Sequence, residues 1–260
     1  MKFKLKYLAV ALGVAASLPS FAAIVKPSGA DPEIFLSVWN NDKSFTFDTG
    51  VALSSFTADA GVSQTWATLT SANTEFVNFI GAAPLTSFNY AVLGGSQFSL
   101  LSTVTVGKED QVALIQNPEI PSAQNQINFF LGEVNATGTH KTLPNGQSVN
   151  LKGTLAYFQD RNTNNYNGAF AGGSGSLYTV SNVVGTSSQF TKIDYDVSGD
   201  DFTPGIVSIQ PGTVLFGKTG DNYVLSYEVA AVPEPSANAL TLLGLGMLGV
   251  IKLRRRRSTN

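Results

Sequence analysis

Between residues 23 and 231 the chain alternates apolar and polar residues with a period of two, in short runs broken by Gly, Asn and Asp. That period puts successive side chains on opposite faces of an extended backbone, so it selects strands over helices. Phe45 and Phe47 alternate with polar neighbours in 44–48. Runs 87–93 and 97–106 flank Gly94-Gly95-Ser96, a hairpin turn signal. Runs 151–158, 189–197, 205–209, 213–216 and 222–230 predict further strands. The expected fold is mainly β: one antiparallel, sandwich-like domain over 23–231, with one or two short helices.

Two segments depart from that period. Asn73-Thr74-Glu75 ahead of Phe76, Val77 and Ile80, with Gly81 behind, has the cap, apolar stripe and stop of a short helix. Asn117-Pro118-Glu119 opens a second, in which Ile120, Ile127, Phe130, Leu131 and Val134 fall on one helical face. Residues 159–176 are rich in Asn and Gly and predict a long loop. No repeat of 20–50 residues is visible, which excludes a solenoid or propeller.

The two ends differ from the middle in charge. Residues 1–22 and 236–260 hold bases and no acid, whereas 23–235 carry all 18 acids and eight of the 16 bases, a net −10. An acidic middle argues against binding nucleic acid. At the N-terminal end, Lys2, Lys4 and Lys6 precede the apolar run 8–16; Pro19 and Ser20-Phe21-Ala22 follow. That order predicts a signal peptide, 1–22, cleaved after Ala22. Nine apolar residues are too few to span a bilayer. Export makes the lack of Cys informative: the fold outside the cell relies on packing and not on disulfides.

At the other end, Pro233, Glu234 and Pro235 precede a small polar spacer. An apolar, Gly-containing run over 239–251 follows, then Lys252 and the cluster Arg254, Arg255, Arg256 and Arg257. With Lys252 snorkelling, the stretch from 236 to 253 reaches the lower length for a transmembrane helix, and the arginines would stop transfer and stay cytoplasmic. The tripeptide, the Gly-rich apolar run and the terminal Arg cluster together resemble the PEP-CTERM sorting signal, over 232–257. The stretch from Trp66 to Val92 also resembles the β-rich passenger region of some PEP-CTERM proteins. The resemblance implies an exosortase, an integral-membrane enzyme, as the partner that reads and processes the tail. It implies transient anchoring in the inner membrane, then a place at the cell surface or outside the cell, in the company of exopolysaccharide.

Chemistry in the middle is sparser. Asp194, Asp196, Ser198 and Asp200 present oxygens at alternate positions, with Gly199 at the sixth, like the first half of a calcium loop. Gly205 stands where that loop has a bidentate Glu. Calcium is the one cofactor the sequence suggests, against an alternative of a strand running into an acidic turn. Asn164, Asn165 and Tyr166 combine amides with an aromatic face and suit a sugar, or are simply loop residues. His140, the only His, lies between turn-like segments and is expected to be a solvated loop residue; without a Gly-x-Ser-x-Gly elbow no triad is predicted. Acids such as Glu133, Asp160 and Glu228 are candidates for a hydrolytic pair only if the fold joins them. The expected function is therefore non-enzymatic: an exported structural or adhesive protein associated with exopolysaccharide. The alternatives are a carbohydrate-binding module, calcium-dependent or not, and a polysaccharide hydrolase.

Overall fold

The computed structural model describes residues 23–108, 112, 114–143, 145–158 and 181–230. The predicted signal peptide 1–22 with its cleavage site at Ala22, the predicted sugar-site residues Asn164, Asn165 and Tyr166, and the whole tail from 231 lie outside these.

One antiparallel sheet takes in all ten strands of the described residues: β1 Glu33–Trp39, β2 Lys43–Ala52, β3 Gln64–Leu69, β4 Asn89–Ser96, β5 Ser99–Val104, β6 Gln147–Leu151, β7 Asn182–Val183, β8 Ser187–Asp194, β9 Ile206–Thr219 and β10 Asn222–Val229. The order is β3-β10-β9-β8-β5-β4-β1-β2-β6, with β7 paired to the end of β4. The fold is thus mainly β and antiparallel, as expected. It differs from the expected sandwich, because the two layers of core lie on the two faces of a single curled sheet.

The concave face holds Ile34, Leu36, Val38, Phe45, Tyr90, Val92, Phe190, Val214, Phe216, Leu225 and Tyr227. Helix α1 (Leu53–Asp59) and helix α2 (Thr74–Ile80) close this side with Phe56, Phe76 and Phe79. Helix α2 follows edge strand β3 yet packs on β2 and β6, so the sheet curls far enough to bring its two ends under one helix. The rings interlock: Phe56 stands edge-on to Trp66, Phe190 and Tyr227, and Trp66 stacks on Tyr227 at 8°. Each fully buried aromatic or leucine contributes about 1.5–3 kcal/mol.

The convex face carries Phe35, Trp39, Ala91, Leu93, Leu100, Val104 and Ile193 under helix α3 (Glu119–Ala136), which buries Ile120, Ala123, Ile127, Phe130, Leu131 and Val134. This is the face its apolar spacing predicts. A short helix α4 (Gly138–Thr142) continues from it onto β6. Strands β1 and β5 are consequently buried on both faces.

Three irregularities shape the sheet. In β2, Thr49 and Gly50 loop out between the pairs Phe35–Asp48 and Ile34–Val51, and Gly50 takes φ +65°, which a glycine adopts at little cost. Trp66 is the extra residue opposite Leu225–Ser226, which turns its ring into the concave core. Gln210-Pro211-Gly212 bulge out of β9 against β8. Pro211 has no N–H for the ladder, so a bulge is where a strand tolerates it. The predicted strands 205–209 and 213–216 are therefore one strand running through this bulge.

Two other expectations are corrected. Strand β6 ends where 151–158 is predicted to begin, because Lys152 and Gly153 (φ +88°) turn the chain. Tyr157 and Phe158 reach the core from a loop: the Tyr157 hydroxyl donates to the Asn40 carbonyl at 2.6 Å, and Phe158 packs on Trp39 with centroids 4.6 Å apart. The hairpin between β4 and β5 turns at Gln97 and Phe98, beyond the predicted Gly94-Gly95-Ser96, which belong to β4.

Candidate functional site

The acidic segment at the end of β8 does not gather into the predicted ion site. Asp194 pairs with Lys192 at 2.9 Å. Asp196 Oδ1 accepts from the Ser198 N–H at 2.9 Å and the Ser198 hydroxyl at 2.7 Å, which hold this carboxyl below its ordinary range. Asp200 Oδ1 accepts from Phe202 N–H and the Thr203 hydroxyl, both at 3.0 Å. Three carboxylates are thus engaged in three separate local contacts, and among the described residues no three His, Cys, Asp or Glu side chains are grouped to hold a metal. What ties the loop together is Asn117, fully buried just ahead of α3. Its Nδ2 donates to the carbonyls of Asp196 and Asp200 at 2.9 and 3.2 Å, and its Oδ1 accepts from the Asp196 N–H at 2.8 Å. A side-chain amide occupies the position from which a cation would gather loop oxygens.

His140 is not a solvated loop residue. It is 1% exposed on α4, and burial pushes its pKa down to about 4. Its Nδ1 lies 3.3 Å from the hydroxyl of Ser148 on β6, and Nε2 has no partner among the described residues. Ser148 is itself fully buried, so this Ser–His pair meets no substrate. Glu133 lies on α3 and Glu228 on β10, where Glu228 accepts from the Ser226 hydroxyl at 2.9 Å; Asp160 lies outside the described residues.

The structure instead assembles a cleft for which the sequence offers little signal. It has a volume of about 440 Å³ and lies between the β4–β5 turn, the first half of α3 and residues 27–29. Helix α3 contributes Pro121, Gln124, Asn125 and Asn128; the turn contributes Ser96, Gln97 and Phe98. Residues 24–28 are stitched along α3 by two asparagines. Asn135 accepts from Ile24 N–H at 3.1 Å and donates to its carbonyl at 3.0 Å, and Asn128 Oδ1 accepts from the Ser28 N–H and hydroxyl at 3.2 and 3.1 Å.

Gly95, read from sequence as part of the turn, lies within β4 and makes room for Gln124, which lines the cleft. A Cβ on Gly95, whose φ is +135°, would lie 2.5 Å from Gln124 Nε2 and 2.2 Å from the Ser99 carbonyl. Its absence lets the buried Gln124 amide reach and donate to that carbonyl. Phe98 stands 55% exposed at the tip, edge-on to Tyr195 at 6.0 Å, and the Tyr195 N–H donates to the Phe98 carbonyl at 2.8 Å.

The remaining candidate site, the C-terminal tripeptide, follows closely on β10. The PEP-CTERM protein-sorting motif matches residues 231–257, which include Pro233, Glu234 and Pro235 and the cluster Arg254, Arg255, Arg256 and Arg257. No curated protein and no solved structure matches the chain. The chain carries a PEP-CTERM protein-sorting motif, the mark of an exported protein targeted to an exosortase.

Proposed function

We propose that this is a non-enzymatic protein of the cell surface or extracellular matrix, released from a transient inner-membrane anchor by exosortase and acting as a structural or adhesive partner of exopolysaccharide. The observation that carries the reading is the position of the motif: it begins at residue 231, just after β10, the last strand among the described residues, ends at Val229. Every strand of the sheet precedes the tail, so processing removes none of them. Two further features support it. The acidic middle of the chain suits an extracytoplasmic solute environment better than nucleic acid. The only imidazole of the chain is sealed between α4 and β6, out of reach of a substrate.

The test separates the parts of the tail. Glu234→Ala, or deletion of residues 233–235, is expected to leave the protein folded and exported but at full mature length in the membrane. The apolar run can still enter the bilayer, and the arginines still resist transfer. Mass spectrometry of the C-terminus decides: trimming of the variant at the wild-type position would overturn the exosortase reading.

A further inference from the structure

We propose that the cleft between the β4–β5 turn and helix α3 binds an uncharged, hydroxyl-rich ligand, one pyranose unit of a neutral glycan, with a sugar face on Phe98 and hydroxyls on the Gln97, Asn125 and Asn128 amides. This gives a chemistry to the polysaccharide association proposed above and rests on that reading only for the source of the glycan.

The size fits. At about 440 Å³ the cleft falls at the lower end of small-ligand sites, enough for one sugar ring with its neighbours outside. The lining carries no ionisable side chain. A uronate or phosphate placed there would lose water without gaining a counter-charge, which disfavours charged ligands.

The unoccupied hydrogen-bonding capacity matches hydroxyls. The exposed Gln97 and Asn125 side chains make no hydrogen bond among the described residues. Asn128 is held by Ser28 through Oδ1, which points its remaining amide protons with a defined orientation. Carboxamides both donate and accept, as hydroxyls do, whereas a carboxylate only accepts and an ammonium only donates. Phe98 completes the recognition surface. Its exposure has no packing rationale in the core, and the Tyr195 contact fixes the ring at the rim, leaving a face for the apolar C–H side of a sugar.

The cleft is also rigid before a ligand arrives. Its floor is Gln124, locked onto the Ser99 carbonyl under Gly95, and Ser96 and Ser99 join hydroxyls at 2.9 Å across the base of the turn. A preformed floor reduces the ordering cost of binding.

Saturation-transfer NMR on the full mature chain in detergent provides the test, with neutral gluco-, manno- and galacto-oligosaccharides as probes and oligo-uronates as the charged comparison. At least one neutral series is expected to bind. Phe98→Ala and, separately, Asn125→Ala are expected to weaken it by at least tenfold with an unchanged melting temperature. Both side chains are exposed, so neither change threatens the fold. Absence of binding by every neutral series, tighter binding of uronates, or wild-type affinity in both variants would overturn the proposal. All cleft residues precede the motif, so the unprocessed Glu234→Ala chain is expected to bind as wild type does. Failure of sorting and failure of binding are thereby read separately.

Discussion

Gly212 lies directly under the Tyr227 ring: a Cβ there would come within 2.6 Å of Tyr227 Cζ and 2.8 Å of the Glu228 carbonyl. The same closeness lets the Gly212 N–H donate to the Tyr227 hydroxyl at 2.9 Å, while that hydroxyl donates to the Ala60 carbonyl at 2.8 Å. One phenol thus joins the β9 bulge to the end of α1. Gly212→Ala forces ring or strand to move and is expected to destabilise the fold by about 1–3 kcal/mol, the range for overpacking. Tyr227→Phe removes both hydrogen bonds without a clash, at about 1–3 kcal/mol. Urea denaturation of both variants checks this; a neutral Gly212→Ala would show that the bulge yields freely.

Asn117 is the second point of leverage. Removing its amide in Asn117→Ala takes one hydrogen bond each from the part-exposed Asp196 carbonyl and the exposed Asp200 carbonyl, which keep their turn bonds from the Gly199 and Thr203 N–H groups. It also leaves the Asp196 N–H without its partner, at about 0.5–1.5 kcal/mol per bond lost. The variant is expected to lower the melting temperature and to expose the loop 194–205 to proteolysis. Asn117→Asp keeps the acceptor but replaces the donor with a charge, and is expected to be no better. Wild-type protease resistance in Asn117→Ala would show that the loop holds without it.

Two buried titrating groups act in opposite directions as pH changes. Asp48, beside the β2 bulge, has its pKa raised to about 7, first by burial and then by the charge of Glu33. Between its ordinary value and 7 the folded state keeps a proton that the unfolded chain has lost, so this group favours folding at the acid end of that window and progressively less as pH rises to 7. His140, at about 4, does the reverse: its contribution is complete above its ordinary value of 6.5 and is lost as pH falls toward 4. A tenfold change in proton affinity on folding is worth about 1.4 kcal/mol, so each effect amounts to a few kcal/mol. The wild-type profile is therefore expected to be shallow between pH 4 and 7. Asp48→Asn should uncover loss of stability on acidification, and His140→Gln should uncover a gain. Melting temperatures from pH 4.5 to 8 check both signs.

Truncation after Ala230 is expected to yield a soluble domain whose melting temperature matches that of the full chain within a few degrees, since the ten strands and both core layers end by Val229. Scanning calorimetry of the two forms checks it.

Helices α2 and α3 and most strands were legible because their periods are clean, whereas the short helices α1 and α4 were not predicted. Phe76 and Ile80 before Gly81, and Ile120 to Val134, each mark one face of a helix. Strand β1 was not, because Phe35-Leu36-Ser37-Val38-Trp39 is buried on both sides and has no alternation to read. His140 misled for a related reason: Gly138 and Asn145-Gly146 look like turns, and only the packing of α4 on β6 makes the segment an interior one. The glycan-sized cleft left almost no trace. Gln97, Asn125 and Asn128 are ordinary surface residues in sequence, and what makes them a group is the approach of α3 to a hairpin more than twenty residues away. Gly95 was visible, but as a turn residue and not as room for Gln124.

The sheet order also determines how the protein bears force. The chain leaves the sheet from β10, which is not an edge strand: it is paired at five positions to β3 and at eight to β9. A pull applied through the C-terminal end must break two ladders together, with Trp66 and Tyr227 stacked across one of them. An edge strand would peel one bond at a time. A protein held by this end while dragged by flow is thus loaded at one of the places where its sheet resists peeling.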